Sequence, residues 1–487
     1  MNAVDLQVAA GALRAACEEM GAVLVRSAHS ANIKERRDCS TALFDARGEM
    51  VMQAEHIPVH LGAMPAAVAA VLGEEHAPGV SWILNDPFAG GTHLPDITVI
   101  TPAFDAAGAL LGFAASRAHH ADVGGSQPGS MPADSTSIDE EGVVIGPRVL
   151  DDACVEELVA QMRQPKQRRA DLRAQVAANR VGVVRLEAMD AGALREAMAE
   201  VLDYSERRMR AALEGIEDGV YAAADVLEGR DGDIPLRLRA TVAGDTVRLD
   251  FSGSAPQDPG NLNCPLAVTR SACYFAVRVL TDPDIPPTAG AYRPVEVVAP
   301  EGSLLDARHP AAVVGGNVET SSRVADLVLA AFGRALGQGT MNNVTLGSDE
   351  FTYYETLGGG QGACTDADGP SAVHVAMSNT LNTPVEALEL EFPLRVVEYA
   401  VRRGSGGAGR FRGGDGVVRE IEALAEMQYS VIAERRRHAP PGAAGGSPGA
   451  RGRTLVNAQA VEPKATGRLG AGDRLRLETP GGGGFGE

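Results

Sequence analysis

A histidine and an aspartate three residues apart, His93 and Asp96, lie in the segment Gly90-Gly91-Thr92-His93-Leu94-Pro95-Asp96. Its glycines permit unusual backbone angles and its proline stiffens the turn, so both side chains can face one ion. At the end of a later apolar run His119 supplies a second imidazole, and Asp38 a second carboxylate. Two imidazoles and two carboxylates suit a divalent transition metal such as Zn, Mn or Fe better than Ca or Mg. On sequence the adjacent His120 could replace His119 as the ligand. Otherwise His120 and Asp122 read as groups that steady the ligating ring, because such an imidazole usually donates its other N–H to a carboxylate or carbonyl.

Other polar clusters carry weaker signals. Glu35, Arg36 and Arg37 beside Asp38 could orient a substrate carboxylate or phosphate, although a charge run of this kind is more commonly a solvated face. His56 and His60 are four apart, as in helical metal motifs, but Pro58 between them argues against a regular helix, and both read as structural. Gly315-Gly316-Asn317-Val318-Glu319-Thr320 precedes a helical run, so the backbone N–H groups of Gly316 and Asn317 could bind an anion; an ordinary cap by Asn317 is equally compatible. Cys39 has no evident histidine to activate it and reads as a buried thiol. The tail Thr479-Pro480-Gly481-Gly482-Gly483-Gly484-Phe485-Gly486 reads as a flexible terminus in preference to an anion cradle.

Elements that would position these groups can be read from spacing. Leu6, Ala10, Leu13, Cys17, Met20 and Leu24 share one helical face, predicting a helix over about 3–28. Residues 41–44 and 50–53 flank Asp45-Ala46-Arg47-Gly48 as a β-hairpin with Asp38 at its entrance. Residues 63–72 look helical; 81–84, 97–101 and 110–115 look like short buried strands whose ends collect the polar groups. A helical segment follows over about 151–216, interrupted at Pro165. Three β runs span 219–251, helices are expected near 267–280 and 318–336, and the last third looks mainly β. The expected fold is a large mixed α+β one. Its parts are a metal-site α/β region (1–150), a helical segment (151–216), a mixed region (217–340) and a β-rich C-terminal region with the Gly-rich tail (341–487).

Bulk composition narrows the function. With 45% hydrophobic residues among 487, the chain can bury a large core. A formal charge of -20 repels phosphate backbones and anionic bilayers, so neither nucleic acid nor membrane is an expected partner. There is no apolar window near the roughly 18 residues a membrane span needs and no basic, then apolar, leader. Six cysteines without a Cys-x-x-Cys pair fit reduced thiols, and the expected location is cytoplasmic. No Gly-x-x-x-x-Gly-Lys-Ser/Thr loop occurs, so any nucleotide is expected on another chain.

Taken together, residues 32–38 (Asn-Ile-Lys-Glu-Arg-Arg-Asp), Pro58-Val59-His60-Leu61-Gly62, Asn85-Asp86-Pro87, the 90–97 loop, residues 117–125 (Arg-Ala-His-His-Ala-Asp-Val-Gly-Gly), Pro128-Gly129-Ser130-Met131-Pro132, residues 316–320, Asn382-Thr383-Pro384-Val385-Glu386 and the Gly-rich tail resemble the hydantoinase B / oxoprolinase family, N-methylhydantoinase B-like proteins included. The resemblance spans nearly the whole chain. It implies a metal-carrying subunit of an ATP-dependent cyclic-amide hydrolase. A hydantoinase A-like, actin-related partner would bind ATP and Mg and phosphorylate the amide oxygen of a hydantoin, N-methylhydantoin, 5-oxoproline or other lactam. The family's metal ligands fall on Asp38, His93, Asp96 and His119, with Glu35 or Glu319 as candidate proton acceptors and Arg36, Gly316 and Asn317 as candidate substrate contacts. The alternative is a subunit of an ATP-dependent ketone carboxylase using the same residues; a third reading is a non-catalytic scaffold. The chain is shorter than such carboxylase subunits and carries no fused nucleotide domain, which favours a separate hydrolase subunit.

Overall fold

Asp38, His93, Asp96 and His119 gather at one end of an antiparallel sheet. The computed structural model describes residues 1–55 and 57–487, so the reading of His56 lies outside the described residues. Helix α1 (Ala3–Ser27) starts at Asn2, whose side chain accepts from the Val4 and Asp5 N–H groups, and buries Leu6, Leu13, Cys17, Met20 and Leu24, the face its spacing predicts. One turn, α2 (Ala31–Lys34), leads into β1 (Cys39–Asp45). The Asp45 carboxylate accepts from the Arg47 and Glu49 N–H groups and so closes the hairpin to β2 (Met50–Glu55). Then follow α3 (Ala63–Ala69), β3 (Ser81–Leu84), β4 (Asp96–Phe104), β5 (Leu110–His119) and β6 (Arg148–Leu150).

The six strands lie in the order β2-β1-β5-β4-β3-β6, every neighbouring pair antiparallel. Both faces are covered. Leu43, Leu111, Ala114 and Ala118 pack toward α1 and the later helices, whereas Ala42, Phe44, Ile100, Phe113 and Ala115 pack toward Met64, Ala67 and Val68 of α3. Alternating residues therefore enter different cores, and the strands read as apolar runs instead of alternating ones.

The helical segment resolves into α4 (Asp152–Val159), α5 (Pro165–Glu187) and α6 (Ala191–Leu213). Pro165 divides it by opening α5 at the first turn, where a missing N–H costs nothing. A second sheet, β7 (Gly219–Glu228), β8 (Asp233–Ala243) and β9 (Thr246–Asp250), is extended beyond α7 (Leu266–Leu280) and α8 (Ala289–Tyr292) by β10 (Val295–Val298), which runs parallel to β9. A π-helical turn (Gly316–Thr320) leads into α9 (Ser321–Ala331).

The C-terminal third starts with β11 (Asn343–Gly347) and β12 (Thr352–Glu355). The short α10 (Val385–Glu391), absent from the sequence reading, precedes β13 (Leu394–Arg402), β14 (Gly416–Ala423), β15 (Met427–Ile432), β16 (Arg453–Val456), β17 (Gln459–Ala460), β18 (Lys464–Leu469) and β19 (Arg474–Glu478). They form the sheets β12-β11-β15-β18 and β13-β14-β19-β16-β17. The result is the mixed α+β fold expected from sequence. One hydrophobic core draws residues from Ile57 to Ile432, so widely separated segments share an interior.

The Gly-rich tail is neither free nor an anion cradle. Residues 479–484 are buried, and each N–H from Gly481 to Gly486 donates to a backbone carbonyl: Ala450, Gly414, Leu336, Ser447, Phe411 and Ala443 in turn. Backbone segments approach so closely that a Cβ on Gly482 would sit 2.0 Å from the Gln361 carbonyl oxygen. Gly482→Ala should therefore cost more than about 3 kcal/mol. Gly11→Ala, on α1 with nothing within 4 Å of the added carbon, should instead stabilise by about 0.5–1 kcal/mol. Thermal unfolding of the two variants checks the contrast, and a harmless Gly482→Ala would contradict the locked tail.

Candidate metal centre

Antiparallel pairing builds the site. Asp96 opens β4 directly opposite His119, the last residue of β5. The His119 N–H donates to the carbonyl of Asp38, just ahead of β1 (3.0 Å). Three strand ends thus deliver three polar residues to one place. The 90–96 loop is fixed by Asn85, whose Nδ2 donates to Leu94 (2.8 Å) and Val143 (2.9 Å) carbonyls, and by Arg117, which donates to Gly90 O (3.0 Å) and Thr98 Oγ1 (2.8 Å). Around Asp96, His93 Nε2 lies 3.3 Å from Oδ2, His60 Nε2 3.5 Å from Oδ2 and His119 Nδ1 3.4 Å from Oδ1. Thr92 Oγ1 donates to Asp96 Oδ2 (2.6 Å). His93, Asp96 and His119 each offer a ligand atom within 4.8 Å of the others. Asp38 lines the same small cavity of about 20 Å³.

Electrostatics favour a cation here. Burial pushes the His60 and His119 rings below their ordinary range, so both are neutral near pH 7 with lone pairs free to bind. Burial alone would raise the Asp96 carboxyl, but His93, His119 and His60 hold it well below the usual carboxylate range. Burial raises Asp38 against the pull of His119 and Arg36. His60 Nε2, both His93 nitrogens, His119 Nε2 and Asp96 Oδ1 are buried without a hydrogen-bond partner among the described residues. Each such atom costs about 1–3 kcal/mol if left unpaired. Ser40 Oγ meets His60 Nδ1 at 2.8 Å and so turns the other nitrogen inward, as a ligating imidazole requires. The donors fit a divalent transition metal.

The structure separates the adjacent histidines. His120 faces α5, its Nε2 2.9 Å from Gln175 Oε1, and burial pushes its ring down to about 4. Asp122 accepts from the Gly124 and Gly129 N–H groups and from Arg163, folding the loop after β5. Neither is bonded to His93, Asp96 or His119, so the steadying role expected of them passes to Ser40 and Thr92. Glu35 caps α2 beside Glu391, outside the cavity. Glu319 is buried and pushed up to about 8, by burial first and then by Glu434. Its Oε1 accepts from the Met341 N–H and Asn343 Nδ2, and Asn343 Oδ1 in turn accepts from Tyr354 Oη, whose ring stacks on His119 at 4.5 Å. Glu319 therefore stands behind the cavity wall.

Three further expectations change. The Gly316 and Asn317 N–H groups already donate to Asn261 and Val313 carbonyls, which leaves no anion site; Gly316 is small because a Cβ would fall 1.7 Å from Asn263 O. Asn317 instead lines the cavity through its side chain. Arg36 is fully buried, not solvated, and donates to Thr356 and Thr380 Oγ1 (both 3.1 Å) and Tyr354 O (3.3 Å), with Nη1 3.7 Å from Asp38 Oδ2. It clamps the opposite wall. His60, read as structural, is brought beside Asp96 as well, a placement the sequence reading did not anticipate. Pro58 does start an irregular 3-10 turn (Pro58–His60), but a ligand needs no regular helix.

The model of the family described as hydantoinase B/oxoprolinase matches residues 2–487. The chain belongs to this family. It is 41% identical to 5-oxoprolinase 1 of Arabidopsis thaliana over 96% of this chain and 40% of that one, so it spans about 40% of the length of such relatives. A Pseudomonas sp. (strain NS671) protein named as the B component of a D-/L-hydantoinase is 30% identical over 100% of this chain and 90% of its own. Among solved structures, the ATP-dependent caprolactamase from Pseudomonas jessenii superposes with a TM-score of 0.92 at 28% identity, covering 100% of this chain and 91% of that one.

Two outcomes follow from the geometry. His60→Ala should lower metal affinity at least about 10-fold, whereas His120→Gln should keep its metal; elemental analysis showing the reverse would reassign the site. Because the folded His60 and His119 rings resist protons that the unfolded chain accepts below about pH 6.5, metal-free protein should lose stability on acidification through that value and hold it above. Denaturant midpoints against pH check the sign, and His60→Gln should flatten the slope.

Proposed function

We propose that the chain is the metal-carrying component of an ATP-dependent cyclic-amide hydrolase that works with a hydantoinase A-like, nucleotide-binding partner subunit. The observation that carries this reading is the buried set of three imidazoles and two carboxylates at the strand ends, in a chain alike from end to end to the B component of a hydantoinase and to a caprolactamase. Its substrate class is a hydantoin, 5-oxoproline or another lactam. Asp38, His93, Asp96 and His119, joined by His60, would hold Zn, Mn or Fe; such an ion, when bound, polarises an oxygen and makes a bound water acidic.

Amide resonance makes a ring carbonyl a poor electrophile. Phosphorylating its oxygen with ATP on the partner leaves a C=N bond whose carbon water can attack, so the expensive step is separated from the hydrolytic one. This chain's residues then bind, orient and shield. Asn317, Thr356, Ser378 and Thr380 offer polar side chains to the cavity beside Val59, Val318, Met341 and Met377. Arg36, by tying Thr356 and Thr380 together, holds that wall against the strand ends. The cavity, about 20 Å³, leaves little room for bulk water beside an activated intermediate. No helix among the described residues is long and apolar enough to cross a membrane, and free, largely buried cysteines fit work in the cytoplasm.

The test is ATP turnover by the chain and its partner with a panel of lactams, hydantoins and ketones, with and without bicarbonate. Turnover stimulated by a cyclic amide and indifferent to bicarbonate is expected; ketone turnover that needs bicarbonate would assign a carboxylase instead. His93→Ala should lose metal and ring opening together while keeping its fold, and an active, metal-free variant would overturn the reading.

A further inference from the structure

Two cavities meet at Ser378. The inner one is the 20 Å³ space bounded by His60, His93, Asp96 and His119; the outer is an open pocket of about 460 Å³ lined by Pro58, Phe275, Val279, Gln361 and His374. Ser378 lines both. His374, one helical turn back in sequence but in a loop, places Nδ1 2.5 Å from Ser378 Oγ, and its Nε2 is buried without a hydrogen-bond partner among the described residues.

The loop that carries the pair is strained and pinned. Ala372 (φ 56°) and Ala376 (φ 52°), two residues either side of His374, are left-handed without being glycine, a strained conformation that persists only where the surroundings impose it. Val373 exchanges both backbone hydrogen bonds with Gly359, the Ala372 N–H donates to Asp415 O and the Leu381 N–H to Arg36 O. The same arginine that clamps the cavity wall thus anchors this loop. Arg36 is also the charged group that acts on His374; Arg278, on the rim of the outer pocket, donates to Pro283 and Ile285 carbonyls. Glu35 and Glu319 both lie outside the inner cavity, so Ser378 backed by an imidazole is the proton-accepting arrangement there that need not bind the metal.

We propose that Ser378 and His374 form a proton relay for water addition, with Ser378 Oγ toward the reacting atoms and His374 Nδ1 behind it. This rests on the cyclic-amide reading given above. Water adds across the C=N bond of the phosphorylated amide. Its oxygen bonds to carbon and the C=N π pair moves onto nitrogen. One water proton passes to Ser378 Oγ as that hydroxyl's proton moves to His374 Nδ1; the imidazolium then returns a proton along the same path to the ring nitrogen. The pair ends as it began. Burial, reinforced by Arg36, pushes the ring down to about 4, so above that pH His374 rests neutral and the imidazolium formed in the relay is a strong acid that gives its proton back.

The first test needs no substrate. Nitrogen NMR of the metal-loaded chain with labelled histidine should show His374 protonated on Nε2 with Nδ1 accepting, a state perturbed by Ser378→Ala; a proton resident on Nδ1 overturns the relay. In the turnover assay with the partner subunit, Ser378→Ala and His374→Gln should each lower kcat about 10²–10⁴-fold. KM should stay within about threefold, with metal content and melting temperature kept. The double variant should be no slower than the slower single one, and Ser378→Thr should recover most of the rate. Single variants within about threefold of wild-type kcat, or losses that multiply in the double, overturn the proposal. If wild type turns over no cyclic amide at all, the functional reading falls, and the tautomer separately decides whether the pair is poised as a proton acceptor.

Discussion

Everything at the site depends on the register of one antiparallel ladder. With Asp96 paired to His119 at the end of β4 and β5, the two side chains emerge on the same side of the sheet, because directly opposed residues in a ladder share a face. A slip of one residue would turn His119 into the α5 core and bring His120 out. The register is held along the whole ladder: Leu43, Ala114 and Ala118 enter one core while Phe44, Phe113 and Ala115 enter another, and both are fully buried. Core packing across both faces thus chooses which histidine meets the aspartate. The β1 end joins through the hydrogen bond from the His119 N–H to Asp38 O, so Asp38 is placed by the same lattice.

The opposite wall comes from a distant part of the chain and is less regular. It consists of Asn317 on a π-helical turn, Tyr354 on β12 and the 377–380 stretch of a loop. Arg36 joins it to the strand ends. Its guanidinium sits 4.7 Å from the centre of the Tyr354 ring, bonds Thr356 and Thr380, and lies beside Asp38. A buried guanidinium is costly unless its donors are used, so the wall cannot move away without stranding a charge. Tyr354, stacked on His119 and bonded through Asn343 toward Glu319, completes the link.

What was legible in the sequence follows from where each signal is written. Helix α1, the β1–β2 hairpin and the strands that end near Asp96 and His119 are encoded by side-chain spacing, which a buried face forces on any sequence. His93 and Asp96 were legible because a rigid turn brings neighbours together. His60 was not. Pro58 does preclude a regular helix, but the place of His60 depends on Ser40 turning its ring toward Asp96, a contact between distant strands and turns. The anion site imagined at Gly316 and Asn317 failed for a related reason: whether an N–H is free depends on a tertiary partner, here Asn261 and Val313 carbonyls. The tail misled most, because glycines that bond backbone to backbone leave no side-chain pattern to read.

The two walls also divide the chemistry. Residues at strand ends are fixed by ladder register and by two cores, so their geometry tolerates little change without unfolding the sheet. The 371–381 loop is held by a few backbone hydrogen bonds and pays for two left-handed alanines, and the outer pocket it lines mixes Pro58, Phe275 and Val279 with Gln361, Ser378 and Asn379. Pockets that combine an apolar body with a few amide and hydroxyl groups are the usual form of a small-molecule site. Such a wall can be altered residue by residue while the frame of His93, Asp96 and His119 stays intact. Under the proposed function, selection among cyclic amides is therefore better placed at the loop and the outer pocket than at the imidazoles and carboxylates, whose positions the sheet dictates.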